Sequence, residues 1–140
     1  MMIDSAVARI VTAELSPDEV VAQARTLDSG CVVTYVGLIR DNSRDKAVKS
    51  VEYTDPNGDA EVRLAEIAVD ISRKFPVNKV VIYHRTGILR VGDINLVVAI
   101  AAAHRGEGFR ACQYAIDLFK EMLLTGKIET YVDGTTWTGD

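Results

Sequence analysis

The stretch AAAHRGEGFRACQYAIDLFK, residues 101–120, changes its hydrophobic period within a few positions. The predominantly apolar residues at 93–103, rich in Val and Ile, predict a buried β-strand. After Gly106 the apolar residues recur at steps of three and four, which predicts an amphipathic helix. The sequence therefore predicts a strand that turns directly into a helix, with His104 and Arg105 at the turn.

The rest of the chain mixes strand signals with helix signals. Ser16, Pro17 and Glu19 form a helix start, because Ser caps, Pro suits the first turn and Glu completes a capping box. Two further helices are predicted at 17–27 and 60–74. Strands are predicted at 1–10, at a sheet edge, at 31–39, at 48–54 as a returning strand, and at 79–87. Two short strands are predicted within 127–137, around a turn at Asp133–Gly134. This order favours an α+β fold, a two-layer, α/β-hammerhead-like sandwich with a largely antiparallel sheet and helices on one face, formed by residues 1–140 as one domain.

Composition limits the classes of function. The net charge of -4 argues against a general nucleic-acid binder, which usually carries a basic excess. Two cysteines, Cys31 and Cys112, and two histidines are a poor set of metal ligands, so no metal is expected. No apolar run approaches the ~18 residues of a membrane span, and no leader pattern stands at the N-terminus. We expect a cytoplasmic protein with reduced cysteines.

The turn at His104 and Arg105 has the features of an anion site. An imidazole and a guanidinium lie there beside the unpaired N–H groups of a helix start, which attract anions. The glycines on either side of Glu107 let a ligand approach the backbone. Arg40, at the end of the 31–39 strand, reaches the same corner if the two strands are adjacent. The alternative is an ion pair between Arg105 and Glu107.

Two lysines near the end of the same helix form a second candidate group. Lys120 follows Phe119 and borders the apolar stripe through Ile116, and Lys127 follows Gly126, near which the helix is expected to end. A lysine that loses hydration to apolar neighbours and to a second cation is a better nucleophile or general base. The alternative is an ordinary lysine at a helix C-terminus, where the helix dipole favours a cation.

Several motifs together carry a resemblance that extends from Leu15 to Trp137. The matching segments are VVTYVGLIRDNS, VEYTDPNGDAEVRLAEI, HRTGILRVGD, AAAHRGEGFRACQYAIDLFK and GKIETYVDGTTW. In this order they resemble the large, catalytic subunit of molybdopterin synthase, the MoaE family. The family's glycine–x–x–arginine corresponds to Gly37–Arg40, its alanine–histidine–arginine to Ala103–Arg105, and its two lysines to Lys120 and Lys127.

The resemblance implies an activity and its partners. Members of this family install two sulfurs on cyclic pyranopterin monophosphate as the dithiolene of molybdopterin, a step of molybdenum cofactor biosynthesis. The sulfur comes from a thiocarboxylate on the C-terminal Gly–Gly tail of a small ubiquitin-like subunit. The large subunit forms a homodimer that is the core of a heterotetramer. No metal or other cofactor is implied, and neither nucleic acid nor a membrane is an expected partner.

The resemblance also implies roles for residues. Lys120 and Lys127 are the expected catalytic residues, and Glu129 matches an acidic position beside Lys127. The expected substrate-binding residues are Leu38, Ile39, Arg40, His104, Arg105, Lys120, Lys127, Ile128 and Glu129. The chain departs from the common family pattern just before and after the second lysine, at Leu123, Leu124, Gly126 and Ile128.

Three other functions fit the residues alone. The first is a non-catalytic domain that binds a phosphate-bearing ligand. The second is an enzyme that uses Lys120 to form a Schiff base with a carbonyl substrate. The third is a scaffold for a ubiquitin-like protein, for which Lys120 is dispensable.

Overall fold

A computed structural model of the chain describes residues 4–122 and 124–139. In chain order the elements are β1 (Ala6–Val11), α1 (Pro17–Ala24), β2 (Cys31–Leu38), β3 (Asn42–Ser43), β4 (Lys46–Thr54), α2 (Ala60–Lys74), β5 (Lys79–Arg85), β6 (Gly87–Arg90), β7 (Ile94–Ala102), α3 (Arg105–Met122), β8 (Gly126–Tyr131) and β9 (Thr136–Gly139). The first residues of the predicted N-terminal strand, and Leu123, lie outside the described part.

The larger core forms around a four-stranded sheet. Its strand order is β1-β5-β7-β2, with β1 parallel to β5 and the other pairs antiparallel. Helices α2 and α3 cover one face, where Leu64, Ile67 and Ala111 pack on the sheet. The predicted α+β class with largely antiparallel strands is confirmed.

The placement of α1 corrects one detail of that prediction. Its buried residues Val20 and Ala24 pack with Val81 and Val97 on the face of the sheet opposite α2 and α3. The central strands β5 and β7 are apolar at consecutive positions, so both faces require a cover. The helices therefore lie on two faces of the sheet rather than on one.

A second sheet holds the remaining strands. Its order is β3-β4-β8-β9, and β6 also pairs with β4. Ile39, Val48, Val51, Leu89 and Tyr131 form a small core on it. The segment 48–54 was expected to return beside β2, but β4 pairs with β6 and β8 instead. Period-two alternation identifies a strand and one buried face, but it does not name the neighbouring strand.

Local interactions fix the ends of the helices. The Ser16 hydroxyl accepts a hydrogen bond from the Glu19 N–H at 3.3 Å, which confirms the predicted cap of α1. On the face of the sheet opposite α1, the Arg63 guanidinium donates to the Met122 carbonyl at 3.1 Å and so satisfies one of the free carbonyls that end α3. This contact ties α2 to the end of the helix that carries Lys120.

Candidate active site

Lys120 and Lys127 line one cavity, of about 330 Å³, between the end of α3 and the second sheet. Lys120 lies in the last turn of α3 and is exposed, whereas Lys127, near the start of β8, is half-buried. The other lining residues are Tyr53, Phe119, Leu124, Thr125 and Trp137. The cavity thus has largely apolar walls and two cationic side chains. Because Lys120 is exposed, the loss of hydration expected for it is not produced by this chain alone.

Strand pairing determines which side chains lie beside Lys127. Tyr53 of β4 lies directly opposite Lys127, and Glu129 lies opposite Val51 on the same face of the sheet. On the other side of β8, Trp137 of β9 pairs with Glu129. A single face of the second sheet therefore presents two aromatic rings, a lysine and a carboxylate to the cavities.

Glu129 is a buried carboxylate, with 4% of its surface exposed. It accepts hydrogen bonds from the hydroxyls of Tyr131 at 2.7 Å and Ser43 at 2.9 Å, and its Oε2 lies 3.4 Å from Nζ of Lys127. Burial alone would raise the pKa of Glu129, but the two hydroxyls and the lysine charge together hold that pKa below its ordinary value. The ionised carboxylate fixes Lys127 in place.

Arg44 forms a further contact to this group and was not among the residues predicted from the sequence. Its Nε lies 3.8 Å from Glu129, and its guanidinium carbon lies 3.6 Å above the ring of Trp137. Arg44 and Asp45 both have positive φ angles, 54° and 62°, in the two-residue turn between β3 and β4. Such a turn usually contains Asn or Gly. Its sequence signal is therefore weak, and no strand was predicted between 31–39 and 48–54.

Arg40 reaches a second, smaller cavity of about 100 Å³. Lys127 and Glu129 line it too, together with Leu38, Ile39, Asn42, Ser43, Val48 and Val51. The residues of β2 that lead into this cavity follow an irregularity in the pairing of β2 with β7, between Gly37 and Leu38. A Cβ at residue 37 would lie 2.6 Å from Oδ1 of Asn95, which explains the glycine of that motif. Lys127 therefore lies between two cavities.

His104 and Arg105 line a third cavity, of about 600 Å³, at the start of α3. Both side chains are exposed, and within the described residues neither forms a hydrogen bond or an ion pair. Glu107 pairs with Arg110 at 3.3 Å, so the alternative pairing with Arg105 is not observed. A Cβ at residue 30 would lie 2.4 Å from the Ala103 carbonyl oxygen, so glycine lets the two segments meet there.

Several known proteins are similar to this chain in sequence and in structure. The family model described as MoaE protein matches residues 10–122. The molybdopterin synthase catalytic subunit of Nostoc sp. is 42% identical over 91% of this chain and 79% of its own length. The human molybdopterin synthase catalytic subunit is 35% identical over 92% of this chain and 69% of its own. The crystal structure of molybdopterin synthase from Staphylococcus aureus superposes with a TM-score of 0.86 at 29% identity, over 100% of both chains.

The chain belongs to the MoaE family. The match covers β2, β7 and α3, which carry Arg40, His104, Arg105 and Lys120 or lead directly to them. The resemblance seen in the sequence is thereby confirmed at the level of the family.

The structure brings some of the predicted MoaE site residues together and separates others. Leu38, Ile39, Arg40, Lys127 and Glu129 share one cavity, and Lys120 shares the next with Lys127. Arg105 and Lys120 are fifteen residues apart on one straight helix, which separates their backbones by about 22 Å. Within one chain, Arg105 therefore shares no cavity with the lysines. The expectation that Arg40 reaches the His104–Arg105 corner is wrong, because β2 and β7 are adjacent but antiparallel, so the end of β2 and the end of β7 lie at opposite edges of the sheet.

Ile128 lies apart from this group. It pairs with Glu52 and lines neither of the two lysine cavities. Successive side chains of a strand point to opposite faces, so Ile128 points away from Lys127 and Glu129. Its side chain is therefore not part of the proposed site.

The departures from the common MoaE pattern around Lys127 have local consequences. Leu124 supplies part of the wall of the lysine cavity. A Cβ at residue 126 would lie 2.4 Å from Oγ1 of Thr54 on the neighbouring strand, so glycine permits the close pairing of β4 with the start of β8. Leu123 lies outside the described residues.

Within residues 4–122 and 124–139, no three His, Cys, Asp or Glu side chains lie close enough to hold a metal ion. None of the described helices is both long and apolar enough to cross a bilayer.

Proposed function

We propose that this MoaE protein is the catalytic subunit of a molybdopterin synthase. It transfers sulfur from the thiocarboxylate at the C-terminus of a small ubiquitin-like subunit to cyclic pyranopterin monophosphate, which becomes the dithiolene of molybdopterin. The observation that carries the proposal is that Lys127 lines two adjacent cavities, one with Lys120 and one with Arg40. A sulfur donor in one cavity and a phosphorylated acceptor in the other meet at that lysine.

The lysine cavity suits the tail of the partner. Tyr53, Phe119 and Trp137 give it apolar walls, which fit a thin Gly–Gly backbone without side chains. The Lys120 and Lys127 ammonium groups offset the negative charge of the thiocarboxylate and the charge that develops on attack. Once the partner covers the cavity, Lys120 loses the water that surrounds it in the free chain.

The smaller cavity, of about 100 Å³, suits an anionic group of the acceptor and not the whole pterin. Arg40 has no hydrogen-bond or ion-pair partner within the described residues, so its planar fork is free to bind an anionic oxygen. Glu129 does not act on the substrate in this proposal. It holds Lys127 at the boundary between the two cavities.

His104 and Arg105 serve a site that a second copy of the chain completes. One helix cannot bring Arg105 to its own Lys120, yet both cationic side chains lack partners in the described chain. The contact proposed for the homodimer is the free edge of β2, where Val36 and Leu38 are exposed by 38% and 58%. Leu38 also lines the Arg40 cavity, so this edge and the proposed site are continuous. In the dimer, the His104–Arg105 cavity of one copy faces the Arg40–Lys127 region of the other.

The proposal includes a cytoplasmic location. It is supported by Cys31 and Cys112, which are both free thiols.

The test is dithiolene formation from the precursor and a thiocarboxylated small subunit. Lys120→Ala and Arg105→Ala homodimers should each be inactive or severely impaired. Dimers reassembled from an equal mixture of the two variants should recover roughly a quarter of the wild-type rate, because half of them contain one intact site of the two. If wild-type protein forms no dithiolene, the proposed activity is wrong. If the mixture recovers nothing, the shared site is wrong.

A further inference from the structure

His84 is a buried histidine that the proposed reaction does not use. It lies on β5 with 0% of its surface exposed. Within the described part of the chain, the buried polar or charged side chains are His84, Thr125 and Glu129. Glu129 contacts Lys127, and Thr125 lines the lysine cavity. The buried polar groups of the molecule therefore gather around the two lysines.

The hydrogen bonds of His84 decide its protonation state. Nδ1 lies 2.7 Å from the backbone oxygen of Asn95, which can only accept, so Nδ1 carries a proton. Burial lowers the pKa of His84, more than this hydrogen bond raises it, so the ring is neutral near pH 7. Nε2 is then an acceptor, and it faces the Thr125 hydroxyl at 3.4 Å. This distance is long for a hydrogen bond, so the bond is weak.

The ring of His84 also contacts two aromatic residues of the lysine cavity. The centroid of Phe119 lies 5.0 Å away with the planes at 76°, and that of Tyr53 lies 5.0 Å away with the planes at 78°. Both are edge-to-face contacts, which stabilise aromatic pairs beyond their buried area. Phe119 precedes Lys120 in α3, and Tyr53 lies opposite Lys127 in the second sheet.

Three segments that carry the lysine cavity thus meet at one side chain. They are the end of α3 through Phe119, the link into β8 through Thr125, and β4 through Tyr53. The link is short, because α3 ends at Met122 and β8 begins at Gly126. A shift of this link relative to α3 changes the distance between the two lysines directly.

We infer that His84 is a positioning residue that sets the separation of Lys120 and Lys127 through Phe119, Tyr53 and Thr125. The inference rests on the proposed role of the two lysines in sulfur transfer. Its physical reason is that a displacement of about 1 Å at a reacting group lowers the rate by roughly a hundredfold, whereas binding of the remote parts of the substrate is unaffected.

The kinetic test uses His84→Phe, which keeps a ring but removes both hydrogen bonds, and His84→Gln, which keeps an amide near the position of Nε2 but removes the ring. With the precursor and the partner saturating, His84→Phe should lower kcat per folded molecule by roughly tenfold to a hundredfold. KM for the precursor should stay within about twofold, and His84→Gln, which loses both ring contacts, should also lower kcat. Tyr83→Phe, which alters a hydroxyl on the other face of β5, is the control and should keep wild-type kcat.

A double-mutant cycle separates positioning from simple loss of stability. Thr125→Val should lower kcat by a smaller factor than His84→Phe, and the double variant should be no slower than His84→Phe alone, because the two groups act as one unit. A purely structural histidine would lower the folded fraction and leave kcat per folded molecule unchanged. That result, or losses that multiply independently, would overturn the inference.

A spectroscopic measurement decides the inference without activity. The ¹³Cε NMR signals of Lys120 and Lys127 should shift in both His84→Phe and His84→Gln, while the signals of Lys49 and Lys79 stay in place. If wild-type protein formed no dithiolene but these shifts appeared, the proposed function would be wrong and His84 would still position the lysines. Unchanged lysine signals in His84→Phe would overturn the role of His84 whatever the activity.

Discussion

Lys127 Nζ lies 3.4 Å from the buried Oε2 of Glu129, on the boundary between the two cavities of the proposed site. The carboxylate has two hydroxyl donors besides this lysine, so its charge is compensated although water is excluded. Breaking such an arrangement by removing one partner leaves an uncompensated buried group. The pair therefore defines the position of Lys127 more firmly than the position of exposed Lys120.

Replacing Lys120 should abolish sulfur transfer and leave the fold intact. Lys120 is exposed and, within the described residues, has no hydrogen-bond or ion-pair partner, so Lys120→Ala should change the free energy of unfolding by less than about 0.5 kcal/mol. The measurements are dithiolene formation and Kd for the small subunit, with Lys49→Ala as a control at an exposed lysine of β4. A Lys120→Ala protein that turns over normally would favour the scaffold function.

Glu129 should give the stability of the protein a distinct dependence on pH. Its pKa in the folded chain lies below the ordinary value of 4.5, so its contribution is present above that value and is lost as the pH falls through the lower folded pKa. Glu129→Gln keeps oxygen for the two hydroxyls but removes the charge. The variant should be less stable near pH 7 by about 1–3 kcal/mol.

The measurement for Glu129 is urea unfolding between about pH 3 and 7. Wild-type stability should fall more steeply than that of Glu129→Gln below pH 4.5, so the difference between the two narrows in acid. Parallel curves for the two proteins over the whole range would show that the carboxylate is not held below its ordinary pKa.

Arg44→Ala should change the emission spectrum of the only tryptophan in the chain. Trp137 is that tryptophan, and the Arg44 guanidinium covers its ring at 3.6 Å. Loss of the contact exposes the indole and should shift its emission to longer wavelength, with a cost of about 0.5–1 kcal/mol for a partly exposed cation–π pair. Arg73→Ala, at an exposed arginine of α2, is the control and should leave the spectrum unchanged.

Gly126→Ala should destabilise the protein through one specific clash. The added methyl group would meet Oγ1 of Thr54 at 2.4 Å, and overpacking of this kind costs about 1–3 kcal/mol. Thermal unfolding should show a lower Tm for Gly126→Ala than for wild type. In a protein that already carries Thr54→Ala, the decrease in Tm caused by Gly126→Ala should be smaller, because the clashing hydroxyl is gone. An equal loss in both backgrounds would contradict the clash.

Particular elements show how far the sequence alone was sufficient. The cap at Ser16, the helix 60–74 and the hairpin turn at Asp133–Gly134 were predicted and found, because caps, helical periodicity and turn residues are local signals. The pairing of β4 with β8 and the position of α1 were not predictable in this way. Both depend on which apolar faces remain uncovered after the chain folds back on itself.

The same distinction between local signals and contacts of distant segments applies to the candidate site. Lys120, Lys127, Arg40, His104 and Arg105 were named from motifs, whereas Arg44, Tyr53, Thr125 and His84 emerged from contacts between distant segments. The paired residues 84–85 and 104–105 have the same letters in sequence. One histidine is buried beneath the lysine cavity and the other is exposed at a helix start.

The sequence by itself determined the MoaE family, the types of the longer elements and the cationic residues of the proposed site. Those properties follow from the periodicity of apolar residues, from turn residues and from motifs along the chain. Tertiary structure alone decided that Lys127 lies between two cavities and that Glu129 holds it there. The reason is physical: strand register and the packing of α3 against the four-stranded sheet bring residues of distant segments together, and neither is encoded in any single segment.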